Sequence, residues 1–275
     1  MLNLALRTMK VAFKMSIHNL RNELQRYDQL AVAISGGVDS TTLAAVAHEV
    51  LGEAVMMVHA VSPAVPREAT ERVKLNASRF GWALTLVEAG EFTDKHYLQN
   101  PVNRCYYCKS NLYERIKQVW SSTVASGANV DDLGDYRPGL LAASEKQVVH
   151  PLIEAGIDKA AVRDIAESMQ LDTVARLPAQ PCLSSRIETG IAIDANDLAF
   201  VHRVEKHMEE VLGAGNHRCR ITAAGVRIEF CEQLAASAGL ESCRNDLVRK
   251  IEQEGRRLAG FSKYKKGSAF LIKKG

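Results

Sequence analysis

The sequence predicts a doubly wound, mostly parallel α/β sheet followed by a small C-terminal α+β domain, and three observations support this fold class. From residue 30, short apolar runs alternate with segments of helical period, which is typical of a parallel sheet covered by helices. Beyond about residue 195 the alternation gives way to one long helical segment and two short strand-like runs. The 275 residues, 47% of them hydrophobic, suffice to bury a large and a small core.

The first predicted strand is LAVAI, a continuous apolar run of the kind found in buried parallel strands. The later elements of the main domain are assigned in the same way, from apolar runs and from helical period. The predicted strands cover residues 30–34, 54–61, 83–89 and 123–127, and the predicted helices cover residues 41–51, 73–81, 109–122 and 158–171.

The small domain is predicted from a different pattern. A long helix over residues 194–214 leads to strand-like runs at residues 217–222 and 225–230, then to a helix at residues 245–258 and an apolar run at residues 269–272. We therefore divide the chain into an N-terminal extension (residues 1–16), a main domain (residues 17–195) and a small domain (residues 196–275).

The charge and cysteine content of the chain limit the classes of function that it can have. A formal net charge of +3 is too small for a general polyanion binder, although positive charge is concentrated after Arg249, as a solvated tail or a phosphate-binding segment. We find neither an export signal nor a membrane span, so we expect a cytoplasmic protein without membrane partners. In that compartment, six cysteines are expected to be thiols, metal ligands or catalytic groups.

The segment SGGVDST (residues 35–41) stands between the first strand and its helix, where α/β sheets bind ligands. Its glycines permit a tight turn and let backbone N–H groups approach an anion at the positive end of the helix dipole. Asp39 suits this position if it holds a Mg²⁺ ion that a phosphate shares. The predicted nucleotide-binding residues are Ser35, Gly36, Gly37, Asp39, Ser40 and Gly127.

Three cysteines form a candidate metal site. Cys105 and Cys108 are predicted to lie at the start of the helix that continues over residues 109–122, where the dipole favours thiolates, and Cys182 lies in a loop expected at the same edge of the sheet. A zinc site completed by His96 or His150 and a Cys105–Cys108 redox disulfide are alternatives. An iron–sulfur cluster of the four-iron type with one open iron uses all three thiolates and suggests sulfur transfer.

The remaining cysteines have a simpler interpretation. Cys219, Cys231 and Cys243 fall in the predicted small domain, at strand-like or helix-edge positions, and are interpreted as core residues.

SGGVDST resembles the PP-loop of ATP pyrophosphatases, which split ATP between its α and β phosphates. Over residues 17–225 the chain resembles the LarE family of ATP-dependent sulfur insertases. The segments that carry this resemblance are SGGVDS, NRCYYCK, GANVDDLGDYRPG, HPLIEAGIDKAAVR and PAQPCLSSRI. The resemblance implies synthesis of the nickel-pincer nucleotide cofactor from a pyridinium-3,5-dicarboxylate mononucleotide, by adenylating each carboxylate and converting it to a thiocarboxylate.

The resemblance also implies roles for individual residues. Cys182 takes the sulfur-bearing position, which some family members sacrifice to become dehydroalanine. The pair Cys105 and Cys108 matches members thought to use a 4Fe–4S cluster as sulfur carrier, recharged by sulfide or another sulfur donor. Asp131 and Asp132 are candidates, with Asp39, for Mg²⁺ binding, although turn formation by Asn and Asp explains them as well.

Four further residues are expected to bind the substrate: Ser185, Arg186, Arg218 and Arg220. Guanidinium groups bind carboxylate and phosphate in bidentate fashion, and Arg218 and Arg220 share one strand face, unless they are merely exposed charges. The C-terminal FSKYKKGSAF matches the family loosely, which leaves Tyr264, Lys265 and Ser268 without firm roles. By resemblance, the small domain helps to build a hexamer.

Three alternative functions remain. A tRNA thiolase also combines a PP-loop with a cysteine trio, but aromatic residues are only 6% of the chain, so nucleic-acid binding is not expected. An ammonia-using synthetase would make the cysteines incidental. A nucleotide-binding module without chemistry would consume ATP without converting any acceptor.

Overall fold

The structure is a computed structural model, which describes residues 15–134, 137–178, 180–231, 239–265 and 267–269. It confirms the α/β prediction, because the first four strands form one parallel sheet in the order β3-β2-β1-β4. Helices cover both of its faces. The strands are β1 (Leu30–Ala33), β2 (Val55–Ala60), β3 (Ala83–Val87) and β4 (Thr123–Ser126).

The helices in the chain up to Ala175 alternate with or follow these strands. Within the described residues they are α1 (residues 15–24), α2 (Val38–Leu51), α3 (Arg67–Phe80), α4 (Lys95–Leu98), α5 (Arg104–Val119), α6 (Pro138–Glu145), α7 (Pro151–Glu154), α8 (Lys159–Ser168) and α9 (Asp172–Ala175). None of the helices in the described part of the chain is long and apolar enough to cross a membrane.

The central strand β1 shows why the sheet is doubly wound. All four of its residues are buried, and because side chains alternate across a strand, Leu30 and Val32 join one core while Ala31 and Ala33 join another. The first core contains residues of α2 and α8, and the second contains Tyr113 and Ile116 of α5. The carboxyl end of β1 is thereby fixed at Ala33, two residues before Ser35.

The contacts of the chain divide it into two compact units. The first consists of residues up to Ser62 with Arg67–Glu91 and Cys105–Gln180, and the second consists of Pro63–Pro66, Phe92–Arg104 and the residues from Pro181 onward. The domain boundary between residues 195 and 196 stays a prediction. Cys105 and Cys108 belong to the first unit, and Cys182 belongs to the second.

The second unit contains a sheet in the order β5-β6-β7, with β5 and β6 antiparallel and β6 and β7 parallel. Asp194 begins its long helix, because its carboxylate accepts hydrogen bonds from the N–H groups of Asn196 and Asp197. The elements are α10 (Ala195–Leu212), β5 (Arg218–Thr222), β6 (Gly225–Phe230), α11 (Leu240–Gln253) and β7 (Leu258–Lys263).

The prediction was wrong for the end of this unit. The predicted helix at residues 245–258 is α11, which begins at Leu240 because its buried stripe starts there, and which ends before Gly255 at φ +66°. Leu258 instead begins β7, a strand that the sequence did not predict. The apolar run at residues 269–272 includes Ala269, and the rest of it lies outside the described residues.

Candidate functional site

The predicted nucleotide loop follows β1 directly and is shaped by Gly36. This residue has φ +78°, and a Cβ atom there would lie 2.7 Å from the backbone oxygen of Ala69 on α3. The backbone N–H of Ser35 donates to the hydroxyl of Ser40 at 3.0 Å. Gly37 is the N-cap of α2 and has no side chain, so the first-turn N–H groups have no side-chain cap. Helix N-termini of this kind favour anions, and nucleotide binding here stays a prediction.

Gly127, at the end of β4, packs against this loop. A Cβ atom at Gly127 would lie 2.6 Å from the backbone nitrogen of Ser40 and 2.7 Å from its Cα. Only glycine therefore allows the two segments to approach this closely. The structure thus brings all six predicted nucleotide residues to one edge of the sheet, and their binding role stays a prediction.

Asp39 lies in the first turn of α2 and is held by two residues that the sequence analysis did not assign. Its carboxylate accepts a hydrogen bond from the side-chain amide of Asn129 at 3.1 Å and forms an ion pair with the ammonium group of Lys159. The Asp39 carboxylate therefore faces the ammonium group of Lys159.

Asp131 and Asp132 lie in the 3₁₀ helix Val130–Gly134, which follows β4. The Asp131 N–H donates to the Asn129 side chain at 3.0 Å, and the Asp132 carboxylate accepts from the Asn129 N–H at 3.1 Å. Asp131 also accepts from the Lys159 N–H, and Asp132 pairs with Arg137 at 2.9 Å. The hydrogen bonds with Asn129 are those expected if Asn and Asp residues form a turn here. The magnesium role of both carboxylates stays a prediction.

Asn129 and Lys159 illustrate what the sequence analysis missed. Lys159 is the first residue of α8, where a cation is unfavourable beside the positive helix end unless an acid is near. A lysine at the N-terminus of a predicted helix could therefore have indicated that an acidic partner lies near it. The partner itself, Asp39, lies 120 positions earlier in the chain and could not be identified by spacing.

Two histidines, the buried His59 and the half-buried His150, support this edge of the sheet. The Nδ1 of His59 lies 2.8 Å from the backbone oxygen of Ile34 and its Nε2 lies 2.9 Å from the hydroxyl of Thr70. Burial lowers the pKa of His59, which favours the neutral ring. His150, an alternative zinc ligand in the sequence analysis, has Nδ1 at 2.8 Å from the Ser126 hydroxyl, and burial lowers its pKa as well.

The cysteine pair lies where it was predicted, in the first turns of α5. Cys105 and Cys108 are three residues apart, so they share one face of the helix, and both are half-buried. In the described residues, neither unit by itself gathers three His, Cys, Asp or Glu side chains that could hold a metal ion. The iron–sulfur role of Cys105, Cys108 and Cys182 stays a prediction.

Cys182 is exposed and precedes a buried 3₁₀ helix, Leu183–Arg186. Arg186 is buried and donates to both carboxylate oxygens of Glu205 at 2.9 Å. Its remaining nitrogen donates to the Pro181 oxygen and the Ser185 hydroxyl at 2.9 and 2.8 Å. Burial lowers the pKa of Arg186, but Glu205 outweighs it and the net pKa is raised. Arg186 thus fixes the backbone that presents the Cys182 thiol.

Arg218 and Arg220 are not exposed charges, which corrects one interpretation of the sequence. Arg220 is buried, pairs with Glu229 at 2.9 Å and donates to the Ser185 oxygen at 3.0 Å. Arg218 is 8% exposed and donates to the His217 oxygen at 2.6 Å. Burial, and then the charge of Arg186, lower its pKa.

Arg218 differs from Arg186 and Arg220, which are each paired with a glutamate. Among the described residues no carboxylate forms an ion pair with it, and its guanidinium carbon lies 5.4 Å from the ring centre of Tyr264. A buried cation without an ion pair in the unit that carries Cys182 is a suitable receptor for an anionic ligand.

The small-domain cysteines agree in part with the core interpretation. Cys219 and Cys243 are buried, and burial raises the pKa of both thiols, which keeps them protonated and inert. Cys231 is half-buried.

The parallel sheet, with a glycine loop directly after its first strand, defines a PP-loop-type α/β protein. An uncharacterized protein of Synechocystis sp. is 40% identical over 218 residues, covering 78% of this chain and 81% of that protein. The pyridinium-3,5-bisthiocarboxylic acid mononucleotide synthase of Lactiplantibacillus plantarum is 31% identical over 214 residues, covering 76% and 77%. The chain therefore belongs to the LarE family, that of this synthase.

A third relative is more distant. An uncharacterized protein of Methanocaldococcus jannaschii is 25% identical over 227 residues, which are 80% of this chain and 86% of that protein. No family model matches the chain.

Proposed function

We propose that the protein is an ATP-dependent sulfur transferase that converts the carboxylates of a pyridinium-3,5-dicarboxylate mononucleotide into thiocarboxylates during nickel-pincer nucleotide synthesis. The observation that carries this proposal is the 31% sequence identity between this chain and a synthase whose named product is a pyridinium-3,5-bisthiocarboxylic acid mononucleotide. The glycine loop at the N-terminus of α2 and the exposed Cys182 thiol supply the two groups that such a reaction needs.

The first step activates the carboxylate. A carboxylate oxygen attacks the α-phosphorus of ATP, the bond from that phosphorus to the bridging oxygen breaks, and pyrophosphate leaves. The N–H groups of the first turn of α2 and the ammonium group of Lys159 stabilise the negative charge on the phosphates. Asp39, in the first turn of α2, would hold a Mg²⁺ ion, because carboxylate oxygens are ligands that Mg²⁺ prefers, and the ion would neutralise phosphate charge.

The second step replaces oxygen by sulfur. A sulfur nucleophile attacks the carbonyl carbon of the acyl adenylate, and AMP leaves with the electron pair of the broken bond. Arg186 holds the Cys182 backbone in place for this delivery, which gives it a positioning role. Arg218 is the group in the same unit that is best suited to bind the phosphate or carboxylate of the substrate.

The identity of the sulfur carrier is part of the proposal. Thiols are the ligands of iron–sulfur clusters, and the pair on α5 together with the exposed Cys182 provides three of them. When bound, a 4Fe–4S cluster with three protein ligands offers one open iron that takes up an additional sulfide. The same three residues without a cluster would leave Cys182 as the sole sulfur source.

A product assay tests the proposed reaction. The full chain is incubated with the dicarboxylate mononucleotide, Mg–ATP and sulfide, and pyrophosphate and thiocarboxylate are measured. We expect thiocarboxylate with the native chain and with Cys231→Ala, and none with Cys182→Ala. Incorporation of ammonia in place of sulfur, or thiolation of tRNA, would overturn the proposal in favour of an alternative.

Iron analysis tests the carrier. Protein purified without oxygen should contain about four irons per chain, with matching acid-labile sulfide. The iron should be lost in Cys105→Ala, Cys108→Ala and Cys182→Ala and kept in Cys231→Ala. An iron-free native chain that still forms thiocarboxylate would show that the cluster is not the carrier.

A further inference from the structure

We propose that Arg72 connects the nucleotide loop to the segment that leads into Cys182, so that nucleotide binding orders the sulfur-bearing segment. This inference rests on the proposed function, because it assigns a positioning residue to that reaction. It starts from a half-buried guanidinium on α3 that donates in two directions.

On one side Arg72 is tied to the loop. Its Nε donates to the backbone oxygen of Gly36 at 3.1 Å. Helix α3 also supports the loop through Ala69, whose oxygen lies under Gly36, and through Thr70, which contacts His59. The loop end of the connection is therefore rigid, and a change in the Gly36 peptide on phosphate binding acts directly on the guanidinium.

On the other side Arg72 reaches Gln180, 108 positions later in the chain. Its Nη2 donates to the side-chain oxygen of Gln180 at 2.7 Å. Gln180 is exposed and stands directly before Pro181, and a residue that precedes proline is confined to extended backbone. Fixing the side chain of Gln180 therefore restricts the chain up to Cys182, which follows two residues later.

The chemistry of arginine explains why this residue type is required. A guanidinium presents several donors in one rigid plane, so it joins two acceptors at a fixed distance, whereas an ammonium group is a point charge on a flexible stem. Both acceptors of Arg72, the Gly36 oxygen and the Gln180 side-chain oxygen, are neutral. Burial lowers the pKa of Arg72, and the charge of Glu68, one turn earlier on α3, acts in the opposite direction.

Hydrogen–deuterium exchange of the full chain tests the proposal, with and without Mg²⁺ and α,β-methylene-ATP, which cannot be cleaved between these phosphates. In the native chain we expect the nucleotide to slow exchange in residues 176–186 by about threefold or more. The slowing should be absent in Arg72→Lys and in Gln180→Ala. Arg67→Lys, at an exposed position on the same helix, is the matched control and should behave like the native chain.

The ratio of the two reaction products is measured in addition to hydrogen–deuterium exchange. The ratio of thiocarboxylate formed to pyrophosphate released should fall by about tenfold in Gln180→Ala, while nucleotide affinity stays within about threefold of native. A merely structural residue would not change this ratio. Equal slowing of exchange in the native chain and in both variants would overturn the inference, as would no slowing in a native chain that binds the nucleotide.

Failure of the inference is distinguishable from failure of the proposed function. A native chain that binds no nucleotide, or that forms no thiocarboxylate under any condition, contradicts the proposed reaction. A chain that makes thiocarboxylate with an unchanged ratio in Gln180→Ala contradicts only the connection through Arg72.

Discussion

Arg186 and Glu205 form a bidentate ion pair beneath the Cys182 loop, with both N···O distances at 2.9 Å and side chains that are 6% and 14% exposed. Two charges at such a depth stabilise the fold only as a pair, because either one alone has lost its water without gaining a partner. The pair therefore makes the position of Cys182 dependent on a glutamate of α10.

We predict that Glu205→Gln lowers the free energy of unfolding by about 3 kcal/mol, because it leaves the Arg186 charge buried and unpaired. Urea unfolding measures the change. The control is Glu254→Gln, which removes the partner of Arg203 in a pair that is 38% and 58% exposed, and which should cost less than about 1 kcal/mol. Equal effects of the two substitutions would contradict this role.

Arg218 and Arg220 are predicted to respond in opposite ways to replacement by methionine. Arg220→Met leaves Glu229 buried and unpaired and should destabilise the fold by about 3–5 kcal/mol. Arg218→Met removes a buried charge that forms no ion pair with a described residue, so it should leave stability unchanged or raised while substrate affinity falls by about tenfold or more. Urea midpoints and the KM of the dicarboxylate separate these outcomes; strong destabilisation by Arg218→Met would contradict the assignment.

Gly127→Ala is predicted to weaken Mg–ATP binding by at least about tenfold, because the new methyl group would collide with the backbone of Ser40 at the start of α2. Calorimetric titration gives the affinity. Gly134→Ala is the control, since a Cβ at Gly134 would meet no atom of the described residues within 4 Å. Native affinity in Gly127→Ala would show that the first turn of α2 does not bind the phosphates.

The stability of the first unit should depend on pH through His59. Burial lowers the pKa of His59 below its ordinary value of 6.5, so the folded ring stays neutral while the unfolded ring gains a proton. The unfolded state thus binds more protons below pH 6.5, and stability is lost as the pH falls. The contribution is complete above that pH and declines by at most about 1.4 kcal/mol per pH unit below it.

Urea unfolding at several pH values between neutrality and mild acid measures this dependence. In His59→Gln the loss of stability with acid should be shallower than in the native chain, and His18→Gln, at an exposed position on α1, is the matched control. The native slope in His59→Gln would show that other groups with a lowered pKa, such as His150 and His217, account for all of it.

The sequence predicted those parts of the molecule that depend on local pattern. LAVAI was predicted to be a buried strand because its apolar run is continuous, and β1 lies there. The glycines of SGGVDST predicted the turn after it, in which Gly36 has a positive φ. β7 was missed because LAGFSK combines a glycine, polar residues and partial exposure, so neither strand alternation nor helical period is visible.

The site was predictable only where neighbouring residues carry the signal. Asp39 was recognised as the acid of the loop, but Lys159 and Asn129 reach it across 120 and 90 positions, and no local spacing indicates such a contact. The burial of Arg218 and Arg220 likewise follows from packing in the second unit rather than from strand period. The hexamer, the sulfur donor and the cluster stay predictions.

The measurement that tests the central claim most directly is the number of thiocarboxylate groups formed per chain, with excess dicarboxylate mononucleotide, Mg–ATP and sulfide, on protein purified without oxygen. The account predicts more than one group per chain, each accompanied by one pyrophosphate, with Cys182 intact at the end. Formation of no thiocarboxylate would contradict ATP-dependent sulfur transfer. At most one group per chain, with Cys182 converted to dehydroalanine, would contradict the cluster as sulfur carrier.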